Sequence, residues 1–189
     1  MSATETSAPA PLAVRVEVWP VAADRFGIWL VSPEGDAWRS DLLRADNEPH
    51  RAVQQVLREH PEQRHAAGGA ADSVRLLHSP SWRMDRDAVV LTYVAVLGGH
   101  GSHEYVRDVW PDARPISHEL TDAVGKPFPH GPIEPPTPRY IDVLLHGIRH
   151  LRFLLDTDDS ARAELDDYWQ LHLYNLHPAL AGMYRIPID

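Results

Sequence analysis

The 189-residue chain contains no cysteine. Disulfides, thiolate metal sites, iron–sulfur clusters and cysteine nucleophiles are therefore excluded together. Lysine is nearly missing as well: Lys126 stands alone, and the other 17 of the 18 basic residues are arginine. Arginine suits planar recognition of phosphate and carboxylate, but so uniform a skew reads first as the mark of a GC-rich genome. No apolar run approaches the roughly 18 residues of a membrane-spanning helix. The opening MSATETSAPAPLA has neither the basic start nor the apolar core of a secretory signal. These absences lead to the expectation of a cytoplasmic protein with no membrane contact.

What is present is ordinary for a globular domain: 43% hydrophobic and 24% charged residues. A net charge of −9 argues against a broad nucleic-acid surface, which rewards clustered cations. It leaves room for a local cationic pocket.

Along the chain, residues 1–12 are small, polar and proline-rich, and are expected to be a disordered leader. The strict alternation Val14-Arg15-Val16-Glu17-Val18 predicts a half-buried strand. Phe26-Gly27-Ile28-Trp29-Leu30-Val31 predicts a second strand, and a short third follows the turn at Pro33-Glu34-Gly35-Asp36. Asp46 or Asn47 can cap a helix that Pro49 enters and Pro61 stops, with Ala52, Val53, Val56 and Leu57 as its buried stripe. Residues 73–78 and 88–97 read as a strand pair. The second is apolar enough to lie inside a sheet covered on both faces.

Residues 111–138 carry eight prolines and predict a crossing strap or a linker that forms no hydrogen-bonded ladder. Beyond it, Ile141, Leu144, Leu145, Ile148, Leu151 and Leu155 recur at helical spacing after a Thr137 cap. Asp158, Asp159 or Ser160 would cap one further helix running to Tyr174. The expected organisation is a leader (1–12), an α/β core (13–110), the strap (111–138) and C-terminal helices packed on the core (139–189). The fold class is α/β: a mixed sheet flanked by helices, with a C-terminal helical pair.

The element order resembles the Nudix fold, and the helix near residues 46–60 carries the resemblance, which covers roughly residues 14–120. The family's box reads Gly, five residues, Glu, seven residues, Arg-Glu, an aliphatic, one residue, Glu-Glu, one residue, Gly. Asp46 falls on the first Glu, Val56 on the aliphatic position and Glu59 on the last Glu. Ser40 replaces the first Gly, Gln54 the Arg, Gln55 and Arg58 two helix carboxylates, and Pro61 the closing Gly. Positions 55, 58 and 59 share one helix face. Three carboxylates there could hold Mg²⁺, whereas Gln55, Arg58 and Glu59 together carry no net charge.

The resemblance therefore implies a degenerate box. The expected function is non-catalytic: binding of a nucleotide-like or other small phosphorylated ligand, or regulation, with no cofactor. The expected pocket lies among His78, Trp82, Arg83 and the loop residues His100, His103 and Glu104. Trp82 would stack on a base and Arg83 would pair with a phosphate. The alternative is a divergent Mg²⁺- or Mn²⁺-dependent hydrolase using Glu59, Asp46 and Glu48. A third reading is a protein–protein adaptor that docks through the helical pair and the strap. The C-terminal aromatics Tyr168, Trp169, Tyr174 and Tyr184 read mainly as core and leave a homodimer interface open. His146 and His150 stand at i and i+4, a spacing that can chelate zinc, but no acidic partner lies between them. They are expected to be packed or solvent-facing instead.

Overall fold

The computed structural model describes residues 13–43, 47–60, 74–98, 106–116 and 140–179. The leader, Asp46, Thr137, Tyr184, the loop bearing His100, His103 and Glu104, and most of the strap lie outside them.

A six-stranded mixed sheet is sandwiched between two helical layers. Strand β1 (Ala13–Asp24) pairs antiparallel with β2 (Gly27–Leu30) through its second half and with β3 (Trp38–Arg39) through its first. Pro20, which has no N–H to donate, sits where β1 exchanges one partner for the other. Its carbonyl accepts from Val31 N at 2.9 Å. On its other side β1 runs parallel to β5 (Ala88–Leu97), which pairs antiparallel with β4 (Val74–Asp85). Strand β6 (Arg114–Ile116) closes the order β4-β5-β1-β2-β6. The start of the proline-rich segment thus does join a ladder, contrary to expectation. Pro115 is tolerated because β6 lies at the edge, opposite Trp29.

One layer contains α1 (Pro49–Glu59) and the short α2 (Val106–Val109). Ala52, Val53, Val56 and Leu57 are buried against Val16, Val18, Ala22, Trp38, Ala95 and Leu97, which is the predicted stripe. The cap differs. Glu48 occupies the N-cap without a side-chain bond, so Asn47 does not cap the helix. The opposite layer is α3 (Tyr140–Thr157), α4 (Asp159–Glu164) and α5 (Asp167–Leu173). Leu144, Ile148, Leu151 and Leu155 pack there on Trp19, Val21, Val94 and Val96.

The expected single second helix is broken. Asp158 caps α4, and Asp166 then accepts from Tyr168 N and Trp169 N to start α5 afresh. A capping aspartate in mid-segment competes with helix continuation. Gly147 marks the tightest crossing, since a Cβ there would lie 2.5 Å from Val94 Cγ2. No helix among the described residues is long and apolar enough to cross a membrane.

β1 is not half-buried. Its alternation is real, but Glu17 is 0% exposed on the α3 face. The Arg83 guanidinium forks onto it (Nη1–Oε1 2.9 Å, Nη2–Oε2 2.7 Å), and the Trp19 indole donates at 3.0 Å. A pattern read as polar-outward is a charge held inside by paired donors.

Candidate functional site

The helix with the box-like pattern borders a polar groove of about 690 Å³. One wall is the chain after β3: Ser40, Asp41, Leu42 and Leu43. Three bonds fix this wall to β1, one of them from Ser40 N to Val16 O at 3.1 Å. Ser40 Oγ accepts from Val16 N at 3.1 Å, and Leu43 N donates to Val14 O at 2.7 Å. The other wall is α1, which contributes Arg51, Ala52, Gln55, Val56 and Glu59, with Asn47 and Glu48 before it.

Burial of the apolar stripe aims these side chains. With Ala52, Val53, Val56 and Leu57 against the sheet, the flanking positions 48, 51, 55 and 59 turn toward the groove. His60 secures the far end of α1 by stacking on Trp38, with centroids 4.5 Å apart and planes 8° from parallel. Within the groove Gln55 Nε2 donates to Glu59 Oε1 at 2.6 Å. Glu48 and Arg51 form a loose, exposed pair at 3.9 Å. Arg58 is exposed but does not line the groove.

Of the acidic residues expected to serve a hydrolase, Asp46 lies outside the described residues. Glu48 and Glu59 are at opposite ends of α1, separated by about 16 Å of helical rise. A single Mg²⁺ takes its ligands at about 2.1 Å, so these two carboxylates do not share one ion. Among the described residues no group of three or more His, Asp or Glu side chains could hold a metal ion.

The expected pocket around β4 is divided by the sheet. Residues directly opposed in an antiparallel pair share a face. His78 opposes Val94 and Arg83 opposes Val90, and both reach the α3 side, where Arg83 is engaged by Glu17 and lies 3.2 Å from Thr92 Oγ1. Trp82 opposes Leu91, which belongs to the α1-side core, so it projects from the other face and is 67% exposed. Pro80 to Arg83 are part of β4, whose register shifts between His78 and Ser81. That shift sets the facing and could not be seen in the residue pattern.

The sequence reading also passed over Asp24, buried at the end of β1. Its Oδ1 accepts from Phe26 N, Gly27 N and Trp29 Nε1, and its Oδ2 from Val106 N. Its carbonyl meets His172 Nε2 at 2.8 Å. An aspartate before a turn and a glycine is the available signal, and it indicates a knot between layers.

Comparison with protein-family models, with curated proteins and with solved structures gives no match.

Proposed function

We propose that this chain is a Nudix-like domain that retains the box helix as one wall of a binding groove and binds a small ligand without hydrolysing it. The observation carrying this reading is the groove along α1, whose volume lies within the range of small-molecule sites. Where a box helix would gather carboxylates, α1 places an amide hydrogen-bonded to the single carboxylate Glu59.

The groove's charges narrow the ligand. Asp41, Glu48 and Glu59 face one cation, Arg51, which disfavours a polyphosphate. Arg51 and Glu59 are separated by about 12 Å of helical rise, a span that suits a mononucleotide-sized molecule. Arg51 would take a single phosphate or carboxylate. The Gln55–Glu59 pair would accept from the N–H groups of a base or a similar ring. The hydrolase alternative is disfavoured because Glu48 and Glu59 do not converge.

The test is thermal unfolding against a panel of nucleoside monophosphates and sugar phosphates. A ligand that binds only the native state raises Tm by mass action. A rise is expected for at least one mononucleotide, reduced by Arg51→Ala and by Glu59→Gln. The reading fails if no compound raises Tm, or if both variants respond like the parent. Phosphate release with Mg²⁺ or Mn²⁺ would favour the hydrolase instead.

A further inference from the structure

On the face opposite the groove, three histidines from two elements meet where α3 crosses β4. His78 Nε2 lies 3.1 Å from His150 Nδ1, across 72 residues of chain, and the rings meet edge to face at 4.6 Å. His146, one turn earlier on α3, has its ring centroid 6.4 Å from that of His150. Phe153 packs against His150 with ring centroids 5.8 Å apart. Between His146 and His150, Gly147 brings the helix down onto Val94 and Pro80, so the contact sits at the closest approach of helix and sheet.

We infer that His78, His146 and His150 form a proton-operated latch that holds the α3 layer on β4 when neutral and releases it when protonated. One neutral imidazole donates to another across the His78–His150 contact, and this requires one bare ring nitrogen. Protonating both rings removes that acceptor and places like charges about 3 Å apart in a partly desolvated site.

The surrounding charges act on the latch unequally. Burial, then His150, pushes His78 down to about 4, while Asp158 at the start of α4 opposes the shift. Burial lowers His150. Burial, then His150 and Arg149, lowers His146. Arg75 of β4 is held by Glu164 at 3.5 Å and Asp166 at 3.6 Å, on α4 and α5. That second clamp between β4 and the helices does not depend on histidine.

The sign follows from the direction of the shifts. Each histidine takes up its proton at lower pH in the folded state than in the unfolded chain, so the unfolded chain binds more protons in the interval between. Stability is therefore full above the ordinary histidine value and falls as pH drops from there toward about 4.

Hydrogen exchange at about pH 7 and about pH 5, corrected for intrinsic rates, tests the latch. Amides of β4 and α3 should lose protection at the lower pH by about tenfold or more, the factor carried by one unit of pKa shift. Amides of α1 and its contacts on β1 should keep theirs. The double variant His78→Gln, His150→Gln removes two of the three titrations, leaving His146, and should diminish the response. Equal loss in both layers, or an undiminished response in that variant, overturns the inference. Should the variant fail to fold, ring titration of the parent by NMR decides: His78 must titrate well below the ordinary histidine range, and a value near 6.5 overturns the inference.

Discussion

The two faces of the sheet bury apolar surface alike but place their polar chemistry in opposite positions. On the α1 face the core is apolar apart from Asp24 at the end of β1, and the other polar side chains lie outside it, along the groove wall. On the α3 face polar groups are paired in the interior: Glu17 with Arg83, and His78 with His150. Exposed polar residues can change at little cost in stability, whereas one member of a buried pair cannot change alone. The groove wall on the α1 face is therefore free to vary its chemistry. The α3 face specifies and regulates how the layers assemble.

The largest effect should come from the buried pair. Glu17→Gln leaves the Arg83 guanidinium without its counter-charge, and breaking such a pair costs about 3–5 kcal/mol. The urea midpoint should fall at an unchanged slope. Replacing both partners, Glu17→Leu with Arg83→Met, should recover part of the loss, since an apolar pair leaves no orphaned charge but removes the oxygen that Trp19 Nε1 donates to. A double variant as unstable as the single one would mean that the site needs the ion pair itself.

A smaller effect is expected at the helix crossing. Gly147→Ala forces a methyl group into Val94 and should cost about 1–3 kcal/mol. It should also loosen the histidine contact beside it, relieving part of the burial that lowers the histidines and so flattening the loss of stability on acidification. A purely packing-driven loss, with the same pH dependence as the parent, would separate the crossing from the latch.

How far the sequence foretold these faces depends on the kind of information involved. The stripe Ala52, Val53, Val56, Leu57 and the α3 series from Leu144 to Leu155 were legible because periodic apolar residues point one way. β5 was legible as an interior strand because both of its faces are apolar. Glu17 was misread because alternation reports polarity and not partners, and Arg83 lies 66 residues away. The register shift after His78 hid the separation of Trp82 from Arg83, since a bulge changes facing without changing composition. Of the candidate site, Glu59 and Glu48 were named, but the groove was not. Its second wall, Ser40 to Leu43, matches the box pattern at none of its residues and is placed by bonds to the β1 backbone.

The smallest change in stability should accompany the most direct test of descent from a metal-binding helix. Gln55→Glu with Arg58→Glu would place carboxylates at 55, 58 and 59, on one face of α1. Like charges at helical spacing should lower stability by only about 0.2–0.5 kcal/mol per pair without metal. If α1 retains the geometry of a box helix, Mg²⁺ or Mn²⁺ should then raise the Tm of the variant and leave the parent unchanged, because three oxygen donors now converge. No metal response would show that α1 lacks that geometry, and the groove would stand as a binding site unrelated to the hydrolase helix. A response without phosphate release would show that this face of α1 can hold a metal ion without hydrolysing phosphate.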